Sequence, residues 1–391
     1  MILDNIPHFV TTLLLSVTLA TIPPHADSSV IAERINNSPD IRESQWHLGY
    51  LQAMTAHRLS KGAGITVALP DTGVDPHPDL TRNILPGIDV VPGGNGDGRR
   101  DRNGHGTGMA GLIAAHGRIN GKGALGIAPQ AQILPIVDSP ADGNGDPDIL
   151  AQAVEYAIDK GADVISISSG GGTSPRLTQA VKRALVSDIA VVAGAGNLPS
   201  DQRVAYPASE SGVIAVGGID QTGLHASISV TGPEIDVVAP AVDIYSTSRK
   251  GGYRRATGTS GATAIVAGAV ALIRSKYPNL PASEVAHRLT ATAIDKGPPG
   301  RDDEYGHGVI DLVAALTADV PPLGFGSATA SAPTPTAVTT TAVAEPADDG
   351  NIAATARGLV TLGVIVAAGG AWAFVARRRR RGADPPPRIS R

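Results

Sequence analysis

Residues 65–75 read ITVALPDTGVD, a short apolar run that stops on a carboxylate, a threonine and a glycine. Such a run, rich in branched side chains and closed by turn residues, suits a strand buried on both faces. An aspartate at the end of that strand sits where doubly wound sheets carry their functional residues. The same texture recurs outward along the chain. QILPIVD (132–138), DVISIS (163–168), IAVVAGAG (189–196), GVIAVGG (212–218) and EIDVVAP (234–240) are further strand candidates. Helical patterns over 147–160, 175–187, 259–277 and 281–293 separate or follow them. This alternation predicts an α/β fold with a mostly parallel sheet and helices on both faces. Residues 259–277 place Ala, Gly, Val and Ile on every side, so that helix is expected at the centre. The globular body spans 61–318, with no internal repeat.

Composition narrows the classes. The 391 residues include Gly 47 and Pro 30, so turns and linkers are many, while aromatic residues make up only 3%. The core must therefore be built from Ala, Val, Ile and Leu. Cysteine is absent, which excludes disulfide scaffolds, thiol nucleophiles and cysteine-ligated metals. The net charge of −4 is unevenly placed. Residues 377–391 carry seven Arg and one Asp, leaving −10 on the other 376 residues. An acidic body with a small basic tail argues against nucleic acid as a partner.

The two ends read as export and anchoring signals. Residues 358–376, GLVTLGVIVAAGGAWAFVA, contain no charge over 19 positions. As a helix they would span roughly 28 Å, close to a bilayer core. Arg377 to Arg381 then read as a cytoplasmic stop, with 377–391 as a basic tail. At the other end, FVTTLLLSVTLATI (9–22) has signal-peptide length, and 1–26 is expected to be removed after Ala26. The usual positive start is missing, because no Lys or Arg precedes Arg34. Residues 27–60 form an N-terminal extension, and 319–357, rich in Ala, Thr and Pro, read as a linker. The expected location is the cell membrane, single-pass, with the body outside and the C-terminus in the cytoplasm.

Three motifs carry the chemistry. They are DTGVD (71–75), NGHGTGMAG (103–111) and GTSGAT (258–263). Taken singly each has an ordinary reading: a turn, a surface histidine at a helix start, and a serine N-cap. Together they supply what a hydroxyl nucleophile needs, a base to take its proton and a carboxylate to hold that base.

Asp, His and Ser in this chain order resemble the subtilisin-like serine proteases, the subtilases, from about residue 64 to 316. The resemblance implies a subtilisin-like doubly wound fold and a serine endopeptidase (hydrolase, peptidase family S8). Asp71, His105 and Ser260 would form the catalytic triad. AGAGN (193–197) resembles the segment that holds the oxyanion-hole asparagine, which gives that role to Asn197. SISSGGG (166–172) resembles the edge strand that pairs with an extended substrate, so Ser168, Ser169 and Gly170 are expected to bind peptide. Gly261 and Ala264 depart from the pattern, standing where many subtilases have Met and Pro.

The extension is too short for a folded inhibitory propeptide. With the anchor and Arg tail, it resembles the mycosins, membrane-anchored subtilases of actinobacterial type VII secretion systems. That resemblance implies an extension lying against the body, and as partners the secretion membrane complex together with protein or peptide substrates. The lack of cysteine departs from many mycosins. Two other readings stay open: a structural component of the complex whose proteolysis is secondary, and a general cell-surface degradative subtilase. No cofactor or metal is assigned. Asp142, Asn144, Asp146 and Asp148 alternate as calcium loops do but lack a complete site. They read as a solvated loop, as do residues 93–101, and a structural calcium is left open.

Overall fold

A computed structural model describes residues 33–35, 41–118, 121–140, 145–170 and 172–323. The chain divides into two units, residues 1–327 and 328–391, and the described residues all fall in the first. The signal peptide (1–26), most of the linker (319–357), the transmembrane segment (358–376) and the tail (377–391) lie outside the described residues. No helix among the described residues is long and apolar enough to cross a membrane.

Three short helices open the body, α1 (Ile41–Ser44), α2 (Trp46–Tyr50) and α3 (Ala53–Ala56). They follow β1 (Glu33–Ile35). The main sheet is built from β2 (Thr66–Asp71), β3 (Ile88–Asp89), β4 (Gln132–Val137), β5 (Val164–Ile167), β6 (Ala190–Gly194), β7 (Ile214–Ile219) and β8 (Val237–Pro240). Its order is β3-β4-β2-β5-β6-β7-β8, and every pairing is parallel. The chain moves from β2 to β4 in one direction and from β4 past β2 to β5 in the other. Right-handed crossovers then put their helices on opposite faces. These are α4 (His105–Ala114) on one side and α5 (Pro147–Asp159) with α6 (Pro175–Val186) on the other. The order reverses at β2, so the crevice of the fold opens at Asp71.

Local signals set these helices. Asp146 and Ser174 cap α5 and α6 through the N–H groups of Asp148 and Leu177, each followed by a proline at the first helical position. The central helix α7 (Thr259–Lys276) is buried from Thr259 through Ile273. It crosses β5 to β8 and packs on α4. The α8 helix (Ala282–Ala291) and α9 (Leu312–Thr317) complete the α7 side.

A smaller antiparallel sheet runs β1-β10-β9, where β9 is Ile244–Thr247 and β10 is Tyr253–Ala256. It ties the N-terminal segment to the strand that leads into α7. Further on, Gln45 is buried and its side-chain amide pairs with both backbone groups of Leu125, at 2.8 and 3.0 Å. Trp46 donates to the Val242 carbonyl at 3.1 Å. Residues 41–60 are thus seated on the body by specific hydrogen bonds.

Candidate active site

The C-terminal edge of the parallel sheet collects the functional side chains. Asp71 ends β2, His105 opens α4, Ser260 is the second residue of α7, and Asn197 follows β6. His105 Nδ1 lies 2.8 and 2.9 Å from the two oxygens of Asp71. The Thr72 N–H donates to Asp71 Oδ1 at 2.7 Å, which fixes the carboxylate plane. The approach of α4 to β2 requires glycine at 106, because a Cβ there would lie 2.1 Å from the Gly73 carbonyl oxygen.

Burial pushes the His105 imidazole toward neutrality, but the bonded Asp71 carboxylate outweighs it and holds the pKa above its ordinary value. Arg254, from β10, opposes Asp71. This guanidinium is 6% exposed and donates through Nη1 to the Gly104 carbonyl at 2.8 Å. Its Nε is buried and has no hydrogen-bond partner among the described residues.

Ser260 is not the cap of its helix. Gly258 occupies that position without a side-chain bond, so the capping reading of the serine fails. As the second helical residue, Ser260 has no intrahelical acceptor for its own N–H. Its hydroxyl donates to the Ser168 carbonyl at 3.1 Å, and the Ser168 hydroxyl returns to the Ser260 carbonyl at 3.4 Å. Ser260, His105, Arg254, Met109 and Gly261 share one small cavity of about 10 Å³, room for a single water. Gly261 borders that space, and a Cβ there would have Ile244 and Leu112, both at 3.7 Å, as its nearest neighbours.

Asn197 reaches the same helix end from the other side. Its Oδ1 accepts the Thr259 N–H at 2.9 Å. The acceptor end of the amide is therefore committed, and Nδ2 is the end that can donate. Ser168, Ser169 and Gly170 run past the C-terminal end of β5 without strand structure. The expected edge strand differs here: β5 is central, held between β2 and β6, and only its continuation leaves the sheet.

Two carboxyl groups were not singled out in the sequence. Asp101, in a stretch read as solvated loop, is buried and organises the start of α4. It accepts the N–H groups of Gly104 and Thr107, both at 2.8 Å, and the Thr72 hydroxyl at 2.8 Å. Its position four residues before His105 was the available signal, since Asp is a strong helix-start acceptor. Asp138 follows β4, and its N–H donates to the Asp71 carbonyl at 3.1 Å. That backbone bond extends the β2–β4 register by one residue beyond the Asp71–Val137 pair. Burial first, and then the neighbouring Asp71 carboxylate, push the Asp138 carboxyl up to about 8. Burial thus favours the neutral form of Asp138 beside Asp71, and Asp101 is the second carboxylate that helps to raise His105.

Among the described residues, no group of three or more His, Cys, Asp or Glu is placed to hold a metal ion. Of the alternating acidic loop, Asp142 and Asn144 lie outside the described residues. Asp146 caps α5, and Asp148 accepts the Ser174 hydroxyl.

Comparison with known proteins agrees with this geometry. The model of the subtilase family (Peptidase S8) matches residues 62–308. Subtilisin DY of Bacillus licheniformis is 42% identical over 260 residues, covering 65% of this chain and 92% of that protein. Subtilisin BL of Lederbergia lenta is 39% identical over 272 residues, covering 69% of this chain and 97% of that protein. Among solved structures, MycP1 with its N-terminal propeptide removed matches with a TM-score of 0.64 and 30% identity, over 73% of this chain and 99% of that one. MycP1 from Mycobacterium smegmatis matches with a TM-score of 0.64 and 28% identity, over 76% of this chain and 93% of that one. A third structure is of MycP1 from the ESX-1 type VII secretion system, with a TM-score of 0.62 and 28% identity, over 76% of this chain and 95% of that one.

Proposed function

The chain belongs to the subtilase family and is a subtilisin-like serine peptidase, and on this footing we propose that it is a membrane-anchored, extracytoplasmic endopeptidase acting with type VII secretion. The observation that carries the catalytic reading is the bond from His105 Nδ1 to Asp71, at the cavity that His105 shares with Ser260. With Nδ1 donating to Asp71, Nε2 is left as the acceptor. For catalysis the Ser260 hydroxyl must leave the Ser168 carbonyl and turn to that base. His105 takes the proton as Ser260 attacks the peptide carbonyl, and returns it to the leaving amine. Water then hydrolyses the acyl-enzyme by the same route. Asn197 Nδ2 and the Ser260 N–H donate to the oxyanion at the positive end of α7. Ser168, Ser169 and Gly170 hold the substrate backbone beside the nucleophile.

Asn197→Ala is expected to lower kcat on a peptide substrate by on the order of a hundred- to a thousand-fold, about 2.7–4 kcal/mol of barrier. The variant also strips the Thr259 N–H of its acceptor, so Asn197→Asp, which keeps that acceptor and loses the donor, controls for folding. Steady-state kinetics on both variants checks this. An unchanged kcat removes Asn197 from the oxyanion hole.

The secretion reading is supported by the likeness to MycP1 and by the charge-free 358–376 segment before the Arg cluster. Removing residues 358–391 is expected to release a folded, active protein into the soluble fraction. Fractionation of cells expressing the truncated chain measures this. Tight membrane association after truncation would place the anchor elsewhere.

A further inference from the structure

Away from the catalytic edge, a pocket of about 560 Å³ lies between the N-terminal segment and the body. Arg42, His57 and Arg58 line it from the first, Lys61, Arg82 and His116 from the second, and no carboxylate among the described residues lines it. Four of these, Arg42, Arg58, Lys61 and Arg82, are cations, on a body whose net charge is negative.

The local hydrogen bonds do not neutralise these cations. Arg42 donates to the carbonyls of Gly123 and Lys122, at 2.9 and 3.2 Å. Arg58 donates to the Met54 carbonyl at 3.4 Å and the Thr55 hydroxyl at 3.1 Å. All of these acceptors are uncharged. Lys61 and Arg82 have exposed side chains and take part in no ion pair among the described residues. The buried Asp79 is the carboxylate felt by Arg42 and His116. Its oxygens are already engaged by Arg118, Tyr253 and the Ala124 N–H, at 2.9, 2.8 and 2.7 Å. Like charges also press on the two histidines. His57 is lowered by burial and then by Lys61 and Arg42, and His116 by burial with Arg82 adding to it.

Buried hydrogen bonds hold the wall in place. Asn83 is buried and its amide donates to the Ala114 and Pro129 carbonyls, at 2.7 and 2.9 Å. His57 Nε2 lies 2.9 Å from the Ile127 carbonyl. A held concavity of this volume falls in the range of small-molecule sites, roughly 300–1,000 Å³, and exceeds what a lone inorganic ion fills. Guanidinium groups match phosphoryl oxygens in shape as well as charge. We propose that this pocket binds a phosphorylated, multiply anionic small molecule or headgroup, bridging the N-terminal segment to the body. A compact concavity favours such a group over an extended acidic peptide. Because the ligand would touch both parts, binding stabilises the seated arrangement by mass action.

The test uses the full-length chain in neutral detergent micelles at constant ionic strength. Inorganic pyrophosphate, dihexanoyl phosphatidic acid below its micellar concentration, and an oligoglutamate peptide are titrated separately by calorimetry. The variant Arg58→Gln, Lys61→Gln, Arg82→Gln changes exposed side chains outside the catalytic machinery, so peptide hydrolysis is expected to stay at the wild-type rate. Saturable binding to the wild type, weakened roughly tenfold or more in the variant, supports the site. Binding of pyrophosphate alone assigns a soluble phosphate ligand, and binding of the lipid as well assigns a headgroup. The proposal is overturned if neither phosphorylated probe saturates, if the variant binds both as tightly as the wild type, or if only the oligoglutamate peptide binds.

Discussion

Ser260→Ala is expected to give a folded protein whose peptide hydrolysis falls on the order of a million-fold, the scale seen when the nucleophile of subtilisin itself is removed. The change deletes one hydroxyl whose bond in the resting structure is to the Ser168 carbonyl. Losing it costs about 1 kcal/mol of stability, because the bond is neutral and singular. Gly258, and not Ser260, holds the cap position, so the start of α7 is undisturbed. No cysteine can substitute as nucleophile. Single-turnover kinetics on the purified variant measures the loss, and hydrolysis at the wild-type rate would remove Ser260 from its role. The same substitution separates two biological readings when export is scored beside cleavage. Continued secretion in the Ser260→Ala strain, with secretion lost on full deletion, assigns a scaffold role apart from proteolysis. Equal loss in both strains makes proteolysis itself the requirement for export.

Asp71→Asn is expected to lower kcat by roughly ten-thousand-fold while leaving the backbone in place. The carbonyl oxygen of the introduced amide can still accept the Thr72 N–H that Asp71 Oδ1 takes at 2.7 Å. The amide nitrogen then faces His105 Nδ1 and donates to it, which drives the ring proton onto Nε2 and blocks the base. The pH profile adds a signed readout. In the wild type, Asp71 holds the imidazole above its ordinary value, about 6.5. Because His105 must be neutral to accept a proton, kcat/KM rises with pH through a midpoint above that value. In the variant the raising charge is gone, while burial and Arg254 still act downward, so the midpoint of the residual activity moves to lower pH. Rates measured from pH 5 to 9 on both proteins test this. A midpoint that stays in place or moves upward would falsify the role given to Asp71.

The residues most legible in the sequence are those whose placement follows from a local pattern. Asp71 closes a buried apolar run, and α7 is apolar on every side, so the sheet crevice and the central helix could be read directly. The β9–β10 hairpin could not. Arg254 and Arg255 look like solvent-facing charges, and their turn passes through Lys250 at a positive φ of 58°. Arg254 is buried because Gly108 leaves room over α4, where a Cβ would come within 2.9 Å of the arginine Cδ. That fit belongs to tertiary packing and leaves no periodic trace. Asp101 was half legible: Gly104 and Thr107 follow it closely in the chain, as a helix-start acceptor requires, while Thr72 joins from a separate segment. The helices α1 to α3 are too short to show a period, and two of the buried anchors in this stretch, Gln45 and His47, are polar.

The glycine after Ser260 has a consequence for oxidative chemistry. A methionine at 261 would set a thioether against Ser260, where conversion to the bulkier, polar sulfoxide crowds the reacting centre. Here that position carries no sulfur. The chain has three methionines and no cysteine, and of these only Met109 borders the catalytic cavity among the described residues. Its side chain is 3% exposed, while the exposed Met54 lies away from that cavity, so a peroxide must penetrate the packed interior beside α4 before it meets a susceptible atom at the active centre. The space left open by Gly261 therefore removes the most vulnerable sulfur from the active centre and leaves its remaining neighbour shielded.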